Sequence, residues 1–318
     1  MSKIVILDAD TLGQDVDLSP ICSLGEVTVF PSTQPSERIE HIGDAQIVLV
    51  NKVKLGRDVL EKVPQLRLIC TFATGYDVVD TDYCSSHGIG LCNVRGYSTE
   101  SVVNLTVAMA LQLSVHLKDF SQYVANGCYT DSGIANHLTP VFHDLEGKVW
   151  GIVGYGTIGR RVAEVARALR CKVVYFSKHR HENSPDEYLG LDELCAKSDI
   201  ISLHLPLNSE TINIINRDRI GLMKREVILI NVGRGLLCDE KELANALIKG
   251  SIGGMGIDVY SEEPFGKNHP FTAMLNHPNV VLTPHMGWGS VEARCRCVDE
   301  VRQNIVSFLL GEKRNRIV

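Results

Sequence analysis

Lys148-Val149-Trp150-Gly151-Ile152-Val153-Gly154-Tyr155-Gly156-Thr157-Ile158-Gly159 decides how the rest of the chain is read. An apolar strand runs into three glycines at G-x-G-x-x-G spacing, and Val162, Val165, Ala166 and Leu169 continue as one face of a helix. In such a unit the first glycine permits a tight turn and the second lets the backbone approach a pyrophosphate. The third lets the helix pack close to the strand. The helix start adds unpaired N–H groups and the positive end of its dipole. Strand, turn and helix together predict a dinucleotide-binding βαβ unit. A glycine turn in some other βα unit is the alternative.

Outward from that stretch the rhythm repeats. Val149–Val153, Val173–Phe176, Ile200–Leu203, Val227–Ile230, Met255–Asp258 and Val280–Leu282 read as six strands, with helical patterns between most of them. Upstream, Ile4–Leu7, Val27–Phe30, Ile47–Val50, Leu66–Thr71 and Gly90–Asn93 form an earlier series of the same kind. Ser98 or Thr99 caps a long helix through Val102, Leu105, Ala108, Leu111 and Val115 to about Asn126-Gly127. The amphipathic segment Ser290–Leu310 has no strand after it in the second series, so it is expected to fold back on the first. The domains are therefore 1–98 with 290–318, and 99–289.

The 318 residues suffice for two such cores, with 44% hydrophobic and 22% charged residues. A net charge of −6 argues against nucleic acid or an anionic membrane as the main partner. The start, Met1 to Asp8, reads as a first strand, and no stretch approaches the roughly 18 apolar residues of a membrane span. Ten cysteines are scattered without a C-x-x-C pair; only Cys295 and Cys297 are close, on different faces of a helix. They read as reduced cytosolic thiols of a cytoplasmic protein, and no metal site is expected.

In open parallel sheets ligands bind at the carboxyl ends of the strands. There the second series carries Gly154, then Ser177-Lys178-His179-Arg180, His204-Leu205-Pro206, Asn231-Val232-Gly233-Arg234-Gly235, Asp258 with Glu263-Pro264, and Thr283-Pro284-His285. One Arg, one Glu and one His thus share the dinucleotide's rim, which suits hydride transfer at a 2-oxo acid. Arg234 offers a fork of donors to a carboxylate and a carbonyl oxygen. His285 can give a proton to the developing alkoxide. Glu263 would orient the ring and favour its protonated form. Taken singly, each has a plainer reading as a surface cation, a turn or a loop histidine.

At this point the chain resembles the D-isomer-specific 2-hydroxyacid dehydrogenase family over essentially its whole length. The matching runs are Ala73–Asp80, the glycine motif, Leu203–Leu207, Asn231–Gly235, Gly256–Val259 with Glu263-Pro264, and Thr283–His285. Ala73–Asp80 and His285–Trp288 look most like its glycerate dehydrogenase (hydroxypyruvate reductase) branch. The resemblance implies an α/β fold of two doubly wound parallel-sheet domains, a Rossmann-type cofactor domain inserted into a flavodoxin-like substrate domain. It implies Arg234, Glu263 and His285 as the catalytic set, with the N–H groups of Thr74 and Gly75 on the substrate carboxylate. Asp258 would meet the nicotinamide carboxamide, Thr157 and Ile158 the pyrophosphate, and Leu205-Pro206 the adenine side, with Val232 and Gly287 also lining the cofactor. It further implies a homodimer through the cofactor domain, in which the long helix from Thr99 takes part. Lys52 is a candidate substrate cation or an ordinary surface lysine, and Trp288 either narrows the pocket or stacks on an aromatic substrate.

One departure stands out. The acid expected about 20 residues after the glycines, which would hold the ribose 2′-OH of NAD, is absent. Ser177 is followed by Lys178 and Arg180, with no acid before Glu182. A small neutral residue with two cations suits a 2′-phosphate, so NADP(H) is favoured over NAD(H). A solvated charged turn in an NAD enzyme is the alternative. The rival functions are phosphoglycerate or another D-2-hydroxyacid dehydrogenase, and a dinucleotide-sensing regulator of the same fold.

Overall fold

A computed structural model describes residues 2–318. The chain forms two units, Met1–Ser98 with Trp288–Val318, and Thr99–Gly287. In the first, β1 (Lys3–Ile6), β2 (Glu26–Val29), β3 (Ile47–Val50), β4 (Leu68–Thr71) and β5 (Gly90–Cys92) lie in one sheet of order β2-β1-β3-β4-β5. Every pairing is parallel. Such strands are covered on both faces and therefore read as unbroken apolar runs, as Ile47 to Val50 does. Alternate side chains feed two cores. Ile4, Ile6, Ile47, Leu49, Leu68 and Cys70 meet Ala293, Cys297, Val298, Val301 and Ile305 of the helix Val291–Leu309. Val5, Leu7, Val48, Val50 and Ile69 fill the opposite face. The Ser290 hydroxyl oxygen caps the late helix by accepting the Ala293 N–H at 3.2 Å.

The second unit holds β6 (Val149–Val153), β7 (Lys172–Phe176), β8 (Glu187–Tyr188), β9 (Ile200–Leu203), β10 (Ile228–Asn231), β11 (Gly254–Ile257) and β12 (Val280–Leu282). They lie parallel in the order β12-β11-β10-β9-β6-β7-β8. The order reverses between β6 and β9, the switch point at which doubly wound sheets open a ligand crevice. The seventh strand, β8, corrects the expected six. It is two residues long and half polar, so it leaves no apolar run to read.

The expected single helix from Thr99 to about Gly127 is also corrected. It is two pieces, Thr99–Ser114 and Leu117–Ala125, with a further short helix, Cys128–Ser132, past its expected end. His116 adopts a left-handed φ of 50° between the first two, which a continuing helix does not allow. The buried face differs as well, with Val102, Val103, Thr106, Met109, Ala110 and Leu113 inside and Leu111 37% exposed. Apolar residues such as Leu105, Ala108 and Leu111 lie outside the buried face as well as within it, so the contact face is set by the neighbour. Gly254 and Gly256 of β11 leave room there for Leu113 and Met109. No described helix is long and apolar enough to cross a membrane.

Candidate active site

At the switch point the three glycines divide their tasks as their surroundings require. Gly154 has φ +100°, and a Cβ there would lie 2.7 Å from the His204 carbonyl carbon, so the turn presses directly on the end of β9. At Gly159 a Cβ would stand 2.0 Å from the Gly154 oxygen, which is why the helix Thr157–Ala168 can approach its strand. Around Gly156, by contrast, nothing lies within 4 Å of where a Cβ would sit. The exposed Gly156 and Thr157 therefore present bare backbone to solvent at a helix start, with the early N–H groups of Thr157 and Ile158 beside them. The Ile158 side chain itself packs into the core. This surface fits the pyrophosphate of a dinucleotide.

The loop after β7 is tied down from below. The Tyr155 hydroxyl and Arg167 both bond the Asp186 carboxylate, and Ser184 donates to the Tyr155 oxygen at 3.1 Å. On top, the Ser177 hydroxyl donates to the His179 carbonyl, while Lys178 and Arg180 are exposed. Lys178 Nζ lies 3.1 Å from Glu210 Oε2 on the loop after β9. Glu210 was not among the sequence candidates, because 32 residues separate it from the lysine it meets. An exposed pair of this kind is worth about 0–1 kcal/mol, so it leaves Lys178 available to a stronger anion. Nearby, Leu205 packs against the unit's main core and Val232 against the second, while Pro206 is exposed.

His204 shows an unusual environment. Its Nε2 is 3.0 Å from the Ser202 hydroxyl, which also accepts from Trp150 Nε1 at 3.0 Å. Its Nδ1 is buried with no hydrogen-bond partner among the described residues. Burial pushes this imidazole down to about 3, so the ring is neutral at any ordinary pH.

Arg234, Glu263 and His285 all belong to the second unit. Glu263 Oε2 lies 2.6 Å from His285 Nδ1, and Glu263 Oε1 accepts the Tyr260 N–H at 3.0 Å. Half-buried Arg234 donates from Nη1 to the Gly233 carbonyl at 2.9 Å. Asn231, at the end of β10, ties that loop by donating from Nδ2 to the Arg234 carbonyl at 2.9 Å. His285 has φ 53°, a strained setting for a residue with a Cβ. Asp258 holds that turn: its carboxylate accepts from Thr283 Oγ1 at 2.6 Å and from the N–H groups of Met286 and Gly287 at 2.8 Å each. Burial raises the Asp258 carboxyl above its ordinary range, against the pull of these donors and the nearby imidazole.

In the first unit, Lys52, Thr74 and Gly75 follow the carboxyl ends of β3 and β4. Lys52 is exposed, and its loop rests on buried Asp8, which was not among the sequence candidates. The Asp8 carboxylate accepts the N–H groups of Asn51, Lys52 and Val53 at 2.9, 2.6 and 3.1 Å. Three successive N–H groups form a small anion nest, while burial still raises the Asp8 carboxyl. The Thr74 loop is tied to β5, where Asn93 Nδ2 donates to the Thr74 carbonyl and Thr74 Oγ1 to the Val94 carbonyl, each at 2.7 Å. Trp288 packs half-buried in this unit's core, its ring edge-on to Tyr97 at 6.4 Å.

Comparison with known proteins agrees with this architecture. The family model described as D-isomer specific 2-hydroxyacid dehydrogenase, NAD binding domain, matches residues 107–287. The chain is 37% identical to a hydroxypyruvate reductase of Blautia hydrogenotrophica, covering 98% of each chain. It is 34% identical to a glycerate dehydrogenase of Methylorubrum extorquens, again over 98% of each. Among solved structures, an NADPH-dependent glyoxylate/hydroxypyruvate reductase from Sinorhizobium meliloti in complex with NADP and malonate superposes with a TM-score of 0.86. It shares 26% identity, over 100% of this chain and 97% of that one.

Proposed function

The chain belongs to the D-isomer-specific 2-hydroxyacid dehydrogenase family, and on that premise we propose that it reduces small 2-oxo acids, hydroxypyruvate or glyoxylate foremost, to D-2-hydroxy acids. The observation that carries the proposal is the 2.6 Å pairing of His285 with Glu263, on the same sheet rim as the open Gly156 backbone. When bound, the nicotinamide supplies a hydride to the carbonyl carbon. His285 gives a proton to the carbonyl oxygen, and Glu263 holds the ring and stabilises its positive charge. Arg234 draws in the carboxylate and carbonyl through its planar fork.

The preference for hydroxypyruvate or glyoxylate rests on the relatives named above, which are called hydroxypyruvate reductase and glycerate dehydrogenase. The preference for NADPH rests on Ser177 in place of an acid, with Lys178 and Arg180 exposed beside it. A homodimer through the cofactor unit is supported by an unusual run of exposed apolar residues. Leu117, Val124, Ile134, Leu138 and Val141 are 58–71% exposed, and the helix Leu117–Ala125 buries none of its residues. Steady-state kinetics on a panel of 2-oxo acids with NADH and NADPH tests the whole proposal. A highest kcat/KM for phenylpyruvate would overturn the substrate assignment, and no turnover of any 2-oxo acid would overturn the activity.

A further inference from the structure

Glu240 opens the helix Glu240–Ile248 and is only 8% exposed. Its carboxylate is fully engaged. Oε1 accepts the Ser261 N–H at 2.9 Å, and Oε2 accepts both the Ser261 hydroxyl and His269 Nε2, the latter at 2.9 Å. His269 Nδ1 accepts the Phe271 N–H at 3.3 Å, so the ring proton is on Nε2, facing the carboxylate. The imidazole Nε2–H thus donates to the Glu240 side chain, at a helix start whose positive end favours a carboxylate. Three donors face two oxygens, an arrangement only a carboxylate satisfies in full.

What these bonds hold is the segment that carries Glu263. The peptide between Tyr260 and Ser261 is gripped a second time by Gly235, where a Cβ would stand 1.9 Å from the Tyr260 carbonyl carbon and 2.2 Å from the Ser261 nitrogen. The Tyr260 N–H in turn fixes Glu263 Oε1, and the Tyr260 hydroxyl donates to the Thr283 carbonyl at 2.8 Å, two residues before His285. Arg234 immediately precedes Gly235. The loops that carry Arg234, Glu263 and His285 therefore converge on one peptide, and Glu240 is the buried charge that clamps it.

We propose that Glu240 is a positioning residue for the Glu263–His285 pair, acting through Ser261 and His269. This rests on the proposed role of that pair in proton delivery. Loosening the clamp lets Glu263 swing from the ring, so the imidazolium loses part of its stabilisation while substrate and dinucleotide contacts stay in place. Asp258, the other carboxylate whose field reaches His285, keeps its own bonds to Thr283, Met286 and Gly287.

The test is Glu240→Gln, which presents an amide N–H₂ to a site made of donors. The expected result is a kcat roughly 10-fold lower, with dinucleotide Kd and substrate KM changed less than about 2-fold. The alkaline limb of the kcat/KM profile for reduction should also move about one pH unit lower. If this variant does not fold, Ser261→Ala removes one of the three donors and should move the same limb in the same direction by less. An unmoved limb in the variant that folds, whatever its melting temperature, overturns the proposal. Glu263→Gln serves as the control. If it leaves the limb in place, the assigned role of the Glu263–His285 pair fails instead.

Discussion

Glu263 divides its oxygens between backbone and ring, with Oε1 on the Tyr260 N–H at 3.0 Å and Oε2 on His285 Nδ1 at 2.6 Å. The backbone bond fixes the carboxylate, and the carboxylate fixes the imidazole that is proposed to give substrate its proton. His285→Ala should therefore lower kcat by roughly 10²–10⁴-fold with dinucleotide affinity almost intact. If Arg234 takes the substrate carboxylate and carbonyl as proposed, Arg234→Ala should both raise KM and lower kcat. Near-normal turnover in the first variant, or unchanged constants in the second, removes that residue from the site.

Cofactor choice turns on the loop after β7. Ser177→Asp should reverse a preference for NADPH by adding a ribose acceptor and repelling a 2′-phosphate. Glu210→Gln releases Lys178 from its 3.1 Å partner and should raise that preference about 2- to 5-fold, the range expected of an exposed pair. Initial rates with both cofactors decide it. A tenfold wild-type preference for NADH means that these cations do not reach the ribose.

Stability should depend on pH through His204. In the unfolded chain its imidazole, with a pKa near 6.5, takes up a proton that the folded ring refuses down to about 3. The unfolded state thus binds more protons between these values, and stability falls as pH drops through that window by up to about 1.4 kcal/mol per unit. In His204→Gln this component vanishes. The gap in urea unfolding free energy between wild type and variant should narrow by about 2 kcal/mol from pH 6.5 to 5. Parallel pH curves for the two proteins would count against it.

The exposed apolar run after Ser114 predicts self-association. Leu138 and Val141 are 70% and 71% exposed, and changing both to Asp should convert a dimer into a folded monomer in sedimentation velocity. A wild-type monomer at micromolar concentration contradicts the prediction.

Much of this architecture is legible in the residues, for identifiable reasons. Parallel strands covered on both faces leave apolar runs such as Ile47–Val50 and Ile200–Leu203, and the ends of such runs locate the rim. The glycine turn is legible because its spacing reflects contacts within a few residues. Contacts between distant segments leave no such mark. Glu210 reaches Lys178, Asp8 reaches residues 51–53, and Glu240 reaches Ser261 and His269 only once the sheets are folded. The break at His116 is likewise hidden, since nothing in Val115-His116-Leu117 forbids a helix.

The helix Val291–Leu309 completes the core over Ile4, Ile6, Ile47 and Leu49, although 189 residues, Thr99–Gly287, lie between the two parts of that unit. On the ribosome the first sheet therefore emerges without its cover. At synthesis rates of about 5–20 residues per second, it waits roughly 10–40 s with one apolar face unprotected, while the inserted unit can already close its own core. Translation speed across the insert, and chaperone capture of the nascent sheet, then bear on the yield of this protein.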